Sequence, residues 1–142
     1  MREILFRAKL INNNQWVEGY YVHTKRHHCI IADCIDDSYV VYGHYANNVV
    51  MEVVDPATVS QYTGLKDKND KRIFEGNVVK WNDKVGYIAF DCGCFCVKYL
   101  MSHCLNRNSP AIDIVFHEYP NEIEVIGNIH DNPELLEGPN SD

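Results

Sequence analysis

The feature that most constrains this chain is an apolar periodicity of two. It recurs along nearly the whole length, and no apolar 3.6-residue period runs for ten residues in the first half. Ile4, Phe6, Ala8 and Leu10 alternate with Leu5, Arg7 and Lys9, the pattern of a strand with one buried face. Asn12, Asn13 and Asn14 follow as a turn, because asparagine tolerates left-handed backbone. Residues 16–23 then read as the returning strand of a hairpin. Further strands are expected at 29–35, 39–42 and 49–54, broken at 36–38 and 46–48 and ended by Asp55-Pro56.

A second set of strands opens near residue 59. Residues 60–65 are expected to be extended, and 66–71 form an exposed charged turn. After Ile73-Phe74 and a tight Glu75-Gly76 turn come strands at 77–81, 85–90 and 94–100, with turns at 82–83 and 91–93. Residues 101–110 read as a polar loop or one irregular helical turn, and 112–116 and 123–129 as later strands. Asn132 is placed to cap, and Pro133 to begin, a single helical turn that Gly138-Pro139 stops. Evenly spaced short strands of this kind predict a mainly β protein, a short-stranded barrel or sandwich. The run 73–81 suggests an SH3-like small barrel in the C-terminal half. The expected organisation is an N-terminal β subdomain over 1–58 and a C-terminal one over 59–138, packed as one unit, with a frayed tail at 139–142. The segment 62–76 is expected to tie the two sets together.

Charge and thiols narrow the function. The net charge is −7, but it is uneven: residues 61–110 carry +3 and residues 111–142 carry −8. An acidic total repels nucleic acid and anionic membranes at long range. No run approaches the roughly 20 apolar residues that span a bilayer, and the N-terminus lacks the apolar core of a signal peptide. The expected compartment is therefore the cytoplasm, where the six cysteines remain thiols.

Three blocks of this sequence resemble the YopX family of phage and prophage proteins. They are residues 1–8 (MREILFRA), 61–80 (QYTGLKDKNDKRIFEGNVVK) and 125–136 (VIGNIHDNPELL). Two positions depart from the family pattern, which usually has Gly where Asp70 stands and Asp where Asn77 stands. The resemblance implies a small β-rich protein of a phage or prophage in a bacterial host, and it implies no catalytic role.

Candidate sites are few. Tyr62, Thr63 and Gly64 either serve the fold or wall a binding cleft. Trp81 and Tyr87, with Phe90, Phe95 and Tyr99 beside Lys80, Lys84 and Lys98, could stack bases if exposed on one face of a small barrel; the bland alternative is core and rim. Cys92, Cys94, Cys96, His103 and Cys104 invite a zinc reading. In a strand, however, alternate residues lie about 6.6 Å apart, whereas sulfurs on tetrahedral zinc stand about 3.8 Å apart. His23, His27, His28 and His44 form a second cluster, in which His27 and His28 are expected in a solvated loop with Lys25 and Arg26. No spacing favours a nucleophilic triad. The sequence therefore predicts a non-enzymatic accessory protein without a cofactor. It would bind itself or a phage or host protein; a nucleic-acid module, and a zinc protein or enzyme, are the alternatives.

Overall fold

A computed structural model describes residues 3–32, 51–81, 83–91, 93–99 and 122–137. The expected strands at 39–42 and 112–116, and the loop at 101–110, lie outside these residues. The chain divides into two compact units, Met1–Gln61 and Tyr62–Asp142.

In the first unit, β1 (Phe6–Lys9) and β2 (Trp16–His23) form the expected hairpin, with Ala8 opposite Val17. Asn14 turns the chain at φ 59°, and its N–H donates to the Leu10 carbonyl at 3.0 Å. β3 (His28–Ala32) pairs with β2, and β4 (Met51–Val53) pairs with β3, both antiparallel. Val54 returns to bridge Leu10, and the Asp55 N–H donates to the Lys9 carbonyl at 2.9 Å. Ala8, Leu10, Ile30 and Val54 make the core, with Phe6, Val17, Tyr21 and Val59 packed on it. The phase at the start differs from the expected alternation. Leu5 is buried and Ile4 exposed, because regular pairing begins only at Phe6.

Asp55 does more than end a strand. Its carboxylate accepts the Ala57 N–H at 3.0 Å and caps a 3-10 turn over Pro56–Thr58. Thr58 then uses one hydroxyl twice, donating to the Asp55 carbonyl at 2.7 Å and accepting the Lys9 N–H at 2.8 Å. β5 (Ser60–Lys66) follows; its Ser60 and Gln61 pair with Arg7 and Phe6.

In the second unit, Tyr62 and Lys66 of β5 pair with β6 (Arg72–Phe74). β7 (Asn77–Trp81), β8 (Lys84–Asp91), β9 (Cys94–Tyr99) and β10 (Glu124–Asn128) form an antiparallel sheet in the order β10-β7-β8-β9. One face carries the core of Ile73, Val79, Trp81, Ile88, Val97, Ile123 and Val125. The expected short helical turn is present as a 3-10 turn at Pro133–Leu136. Asn132 does not cap it through its side chain. Its Oδ1 instead accepts the Asn128 N–H at 3.3 Å.

The protein is mainly β, as the periodicity predicts, and is built from two antiparallel sheets. Among the described residues neither sheet closes into a barrel. No helix among these residues is long and apolar enough to cross a membrane.

Candidate functional site

The central motif is consumed by its own fold. The Tyr62 side chain is buried, its ring 5.5 Å from that of Phe74, with the Arg72 guanidinium 5.8 Å from its centroid. The Thr63 hydroxyl donates to the Ile73 carbonyl at 2.8 Å and accepts the Leu65 N–H at 3.2 Å. Gly64 sits at φ +87° with open space where a Cβ would stand. It supplies a left-handed backbone that other residues adopt at a penalty, and the β5–β6 register is irregular between Tyr62 and Lys66.

The charged turn that follows is not wholly exposed. Asp67 is buried, and its carboxylate accepts three backbone N–H groups. Asn69 and Lys71 donate to Oδ1 at 2.8 and 2.9 Å, and Val125 donates to Oδ2 at 2.9 Å. Burial pushes this carboxyl upward, but the three N–H donors, helped by the Lys71 charge, outweigh it and hold the group below its ordinary value. Next to it the Lys68 N–H donates to the Ile123 carbonyl at 2.9 Å, and the Lys68 ammonium lies 3.2 Å from Glu124. Asp67 thus fastens the β5–β6 turn to the strand that begins the third sequence block.

The two departures from the family pattern are both accommodated. Asp70 keeps the left-handed turn, at φ 64°. Aspartate tolerates this backbone better than most residues because its short side chain bonds locally. Asn77 is buried and accepts the Phe74 N–H through Oδ1 at 2.7 Å, the acceptor role a carboxylate would fill. The last block is a knot of the same kind. Asn128 Oδ1 accepts the N–H groups of His130 and Asp131 at 3.0 and 2.9 Å, while its Nδ2 donates to Asp131 at 3.0 Å. The Ile129 N–H donates to the Gly76 carbonyl at 2.9 Å, tying this block to the Glu-Gly turn.

A family model described as YopX protein matches residues 5–137. The chain belongs to the YopX family. Among solved structures, the chain is similar to a crystal structure of protein EF1440 from Enterococcus faecalis. The two share 25% identity over 96% of this chain and 99% of that one, at a TM-score of 0.59. No curated protein matches the chain.

The other sequence candidates are not brought together. Trp81 lies in the core at 1% exposure, on the β7 face shared with Val79, whereas Tyr87 is half-buried on the opposite face of β8, opposite Val78. Phe90 is exposed and meets Phe95 edge-on at 5.1 Å. Lys98 is engaged by Asp91 at 3.2 Å. Register puts Phe90 and Phe95 on the face of Trp81 and Ile88, but that face is the core, so Trp81 and Tyr87 share no exposed stacking surface. Of the thiols, Cys96 is buried, and Cys94 is exposed and donates to the Asp91 carbonyl at 3.5 Å. Cys92, His103, Cys104 and His44 lie outside the described residues. Among those described, no group of three or more His, Cys, Asp or Glu side chains is placed to hold a metal ion.

What sequence reading did not isolate in this YopX-family chain is an apolar stripe on the first unit. Register places Tyr20, Ile31 and Met51 in one cross-strand row, and Val22, Cys29 and Val53 in the next. Opposed residues share a face, so all six lie on the side of the sheet away from Ile30 and Tyr21. Tyr20 is 53%, Met51 51% and Val53 40% exposed. The signal available in sequence was the phase: the apolar residues of β2 and β3 occupy both parities, as in strands covered on two faces.

Proposed function

We propose that this YopX-family protein is a non-enzymatic binding protein that works by pairing with a second copy of itself through the outer face of β2, β3 and β4. The observation that carries this reading is the exposure of Tyr20, Met51 and Val53 at the ends of a stripe whose middle is half-buried at Ile31 and buried at Cys29. A face with three exposed large apolar groups in adjacent rows is the kind of surface that marks an interaction site. The row of Tyr20, Ile31 and Met51 is also self-complementary. A two-fold axis through its middle sets Tyr20 of each copy against Met51 of the other, the reciprocal arrangement an isologous interface requires. Thioether against aromatic ring is itself a favourable contact.

The polar groups of the central motif support this reading by being spent internally. The hydroxyl of Thr63 and the acceptor atoms of Asp67 and Asn77 are engaged with backbone. The phage or prophage setting that the family resemblance implies suits an accessory role of this kind. Free thiols at Cys29, Cys94 and Cys96 suit a reducing bacterial cytoplasm.

Sedimentation velocity over a concentration series tests it. The wild-type chain is expected to shift from monomer toward dimer as concentration rises, and Met51→Asp to raise the dimer dissociation constant by about tenfold or more, the effect of a central contact worth over 1 kcal/mol. A wild-type chain that stays monomeric throughout, or a variant that dimerises like wild type, would overturn the proposal.

A further inference from the structure

We infer that the tip of the β2–β3 hairpin is a binding site for a nucleotide unit, with the His23 ring as platform for the base and Lys25 and Arg26 as cations for the phosphate. The platform is built by the fold. His23 and His28 are cross-strand partners in register. Their rings lie face to face, with centroids 4.1 Å apart and planes 12° from parallel. The Tyr21 hydroxyl hydrogen-bonds His28 Nδ1 with the two planes 16° apart, so ring edge meets ring edge and the pair makes one broad plate beside His23. Tyr21 is anchored in turn, half-buried with its ring 5.4 Å from that of Phe6. The His23 ring is therefore held in one orientation although the residue is exposed. Among the described residues it has no other ring contact and no hydrogen-bond or ion-pair partner. One face of the ring rests on His28, and a planar ligand on the opposite face would extend the stack. Histidine is among the side chains on which unpaired bases stack.

The second observation is charge. The Thr24 N–H donates to the His27 carbonyl at 2.9 Å, and the Thr24 hydroxyl accepts the N–H groups of Arg26 and His27 at 3.4 and 3.0 Å. This closed turn sets Lys25 and Arg26 at its outer corner, both exposed. Residues 19–32 contain no Asp or Glu. Among the described residues neither Lys25 nor Arg26 has an ion-pair partner, whereas Lys66, Lys68 and Lys98 are engaged by Asp70, Glu124 and Asp91. The tip is thus locally positive in a chain of net charge −7. Salt screens the more distant acidic groups beyond about 10 Å at 0.1 M ionic strength.

A ring platform beside cations is the combination that holds single-stranded nucleic acid, and it tolerates any base because every base has a flat face. A free nucleotide offers the same chemistry. A duplex does not, because its base faces are covered by their neighbours. The site goes beyond the proposed self-association and is independent of that face: His23 and His28 share the sheet side of Tyr21 and Ile30, not that of Met51.

The full-length protein is titrated at low salt with a short fluorescent oligo-dT strand, with its duplex and with dTMP, while NMR follows the histidine ring signals. The strand is expected to bind and to shift the His23 ring first. A matching shift with dTMP assigns the site to nucleotides in general, and a response to the strand alone assigns it to single strands; either supports the inference. His23→Ala should weaken strand binding at least about fivefold, the effect of losing one stacked base, and His23→Tyr should restore it. Because His23 is exposed, both variants should fold normally. Arg26→Gln should reduce the slope of log affinity against log salt by about 0.7. Lys80→Gln, the same charge change at an exposed position of β7, should leave the slope unchanged. Absence of binding, a duplex bound as tightly as the strand, loss in His23→Tyr equal to that in His23→Ala, or equal effects of Arg26→Gln and Lys80→Gln would overturn the inference.

Discussion

Asp67→Ala is expected to destabilise the protein by about 3 kcal/mol in urea unfolding. The size follows from what the carboxylate accepts. Hydrogen bonds to a charged group contribute roughly 1.5–3 kcal/mol, and an orphaned buried donor costs roughly 1–3 kcal/mol. The substitution strips three N–H donors at once: those of Asn69 and Lys71 in the turn and that of Val125 at the start of β10. Water can reach the turn donors more easily than the buried Val125, so the total falls short of three full penalties. Asp67→Asn should cost less, about 2 kcal/mol, because one oxygen remains but an NH₂ now faces an N–H.

The same carboxylate sets an acid limb. Its folded-state pKa lies below the ordinary 3.8. Its contribution is therefore complete above that value and is lost as pH falls through the depressed folded one. Glu75 works in the opposite sense. Burial raises its pKa above 4.5, so ionising it costs stability as pH rises from that value. The difference in unfolding free energy between wild type and Asp67→Asn, followed from pH 6 down to pH 2, should shrink only below about pH 4. A difference that is flat across that range would mean the carboxylate is not stabilised by its three donors.

Gly19→Ala should be as damaging, for a steric reason. A Cβ built at Gly19 would sit 1.9 Å from the Ile31 carbonyl oxygen and 2.7 Å from its carbon. Both are backbone atoms of the paired strand and cannot rotate away. Relief requires β2 and β3 to separate where Gly19 faces Ala32. Overpacking of a built interior costs about 1–3 kcal/mol and more when backbone must move; about 3 kcal/mol is expected, with loss of amide protection along β3. Gly64→Ala provides the contrast. Nothing stands within 4 Å of its Cβ, so only the left-handed backbone is penalised, at about 1–2 kcal/mol. Equal effects from the two glycines would show that the close approach at Gly19 is not real.

Much of this architecture was legible because period-two patterning and turn chemistry are local. The triple-asparagine turn, the β7–β8 hairpin and the Pro133 turn all follow from adjacent residues. Three features were not legible from the residues next to them. The turn at 66–71 reads as solvated because its residues are all polar, yet Asp67 is buried by a donor 58 positions away. Asn132 reads as a cap, but its side chain is drawn back to Asn128. Trp81 reads as core, with a stacking platform as the alternative, until the sheet fixes which face of β7 packs on Ile88 and Val97. The apolar stripe was hidden for a related reason. Tyr20 and Met51 are far apart in sequence, and only strand register aligns them.

That register also supplies the most direct test of the proposed self-association. Within one chain Tyr20 and Met51 are two strands apart, their backbones about 9–10 Å from each other, and an isotope filter removes any contact they make within a chain. Across a two-fold interface they touch. An isotope-filtered NOE experiment on an equal mixture of labelled and unlabelled chains, at a concentration where the protein sediments as a dimer, reads this contact alone. Cross-peaks between the Tyr20 ring of one copy and the Met51 methyl of the other are the expected result. A dimer that shows intermolecular peaks elsewhere and none between these two residues would contradict the account.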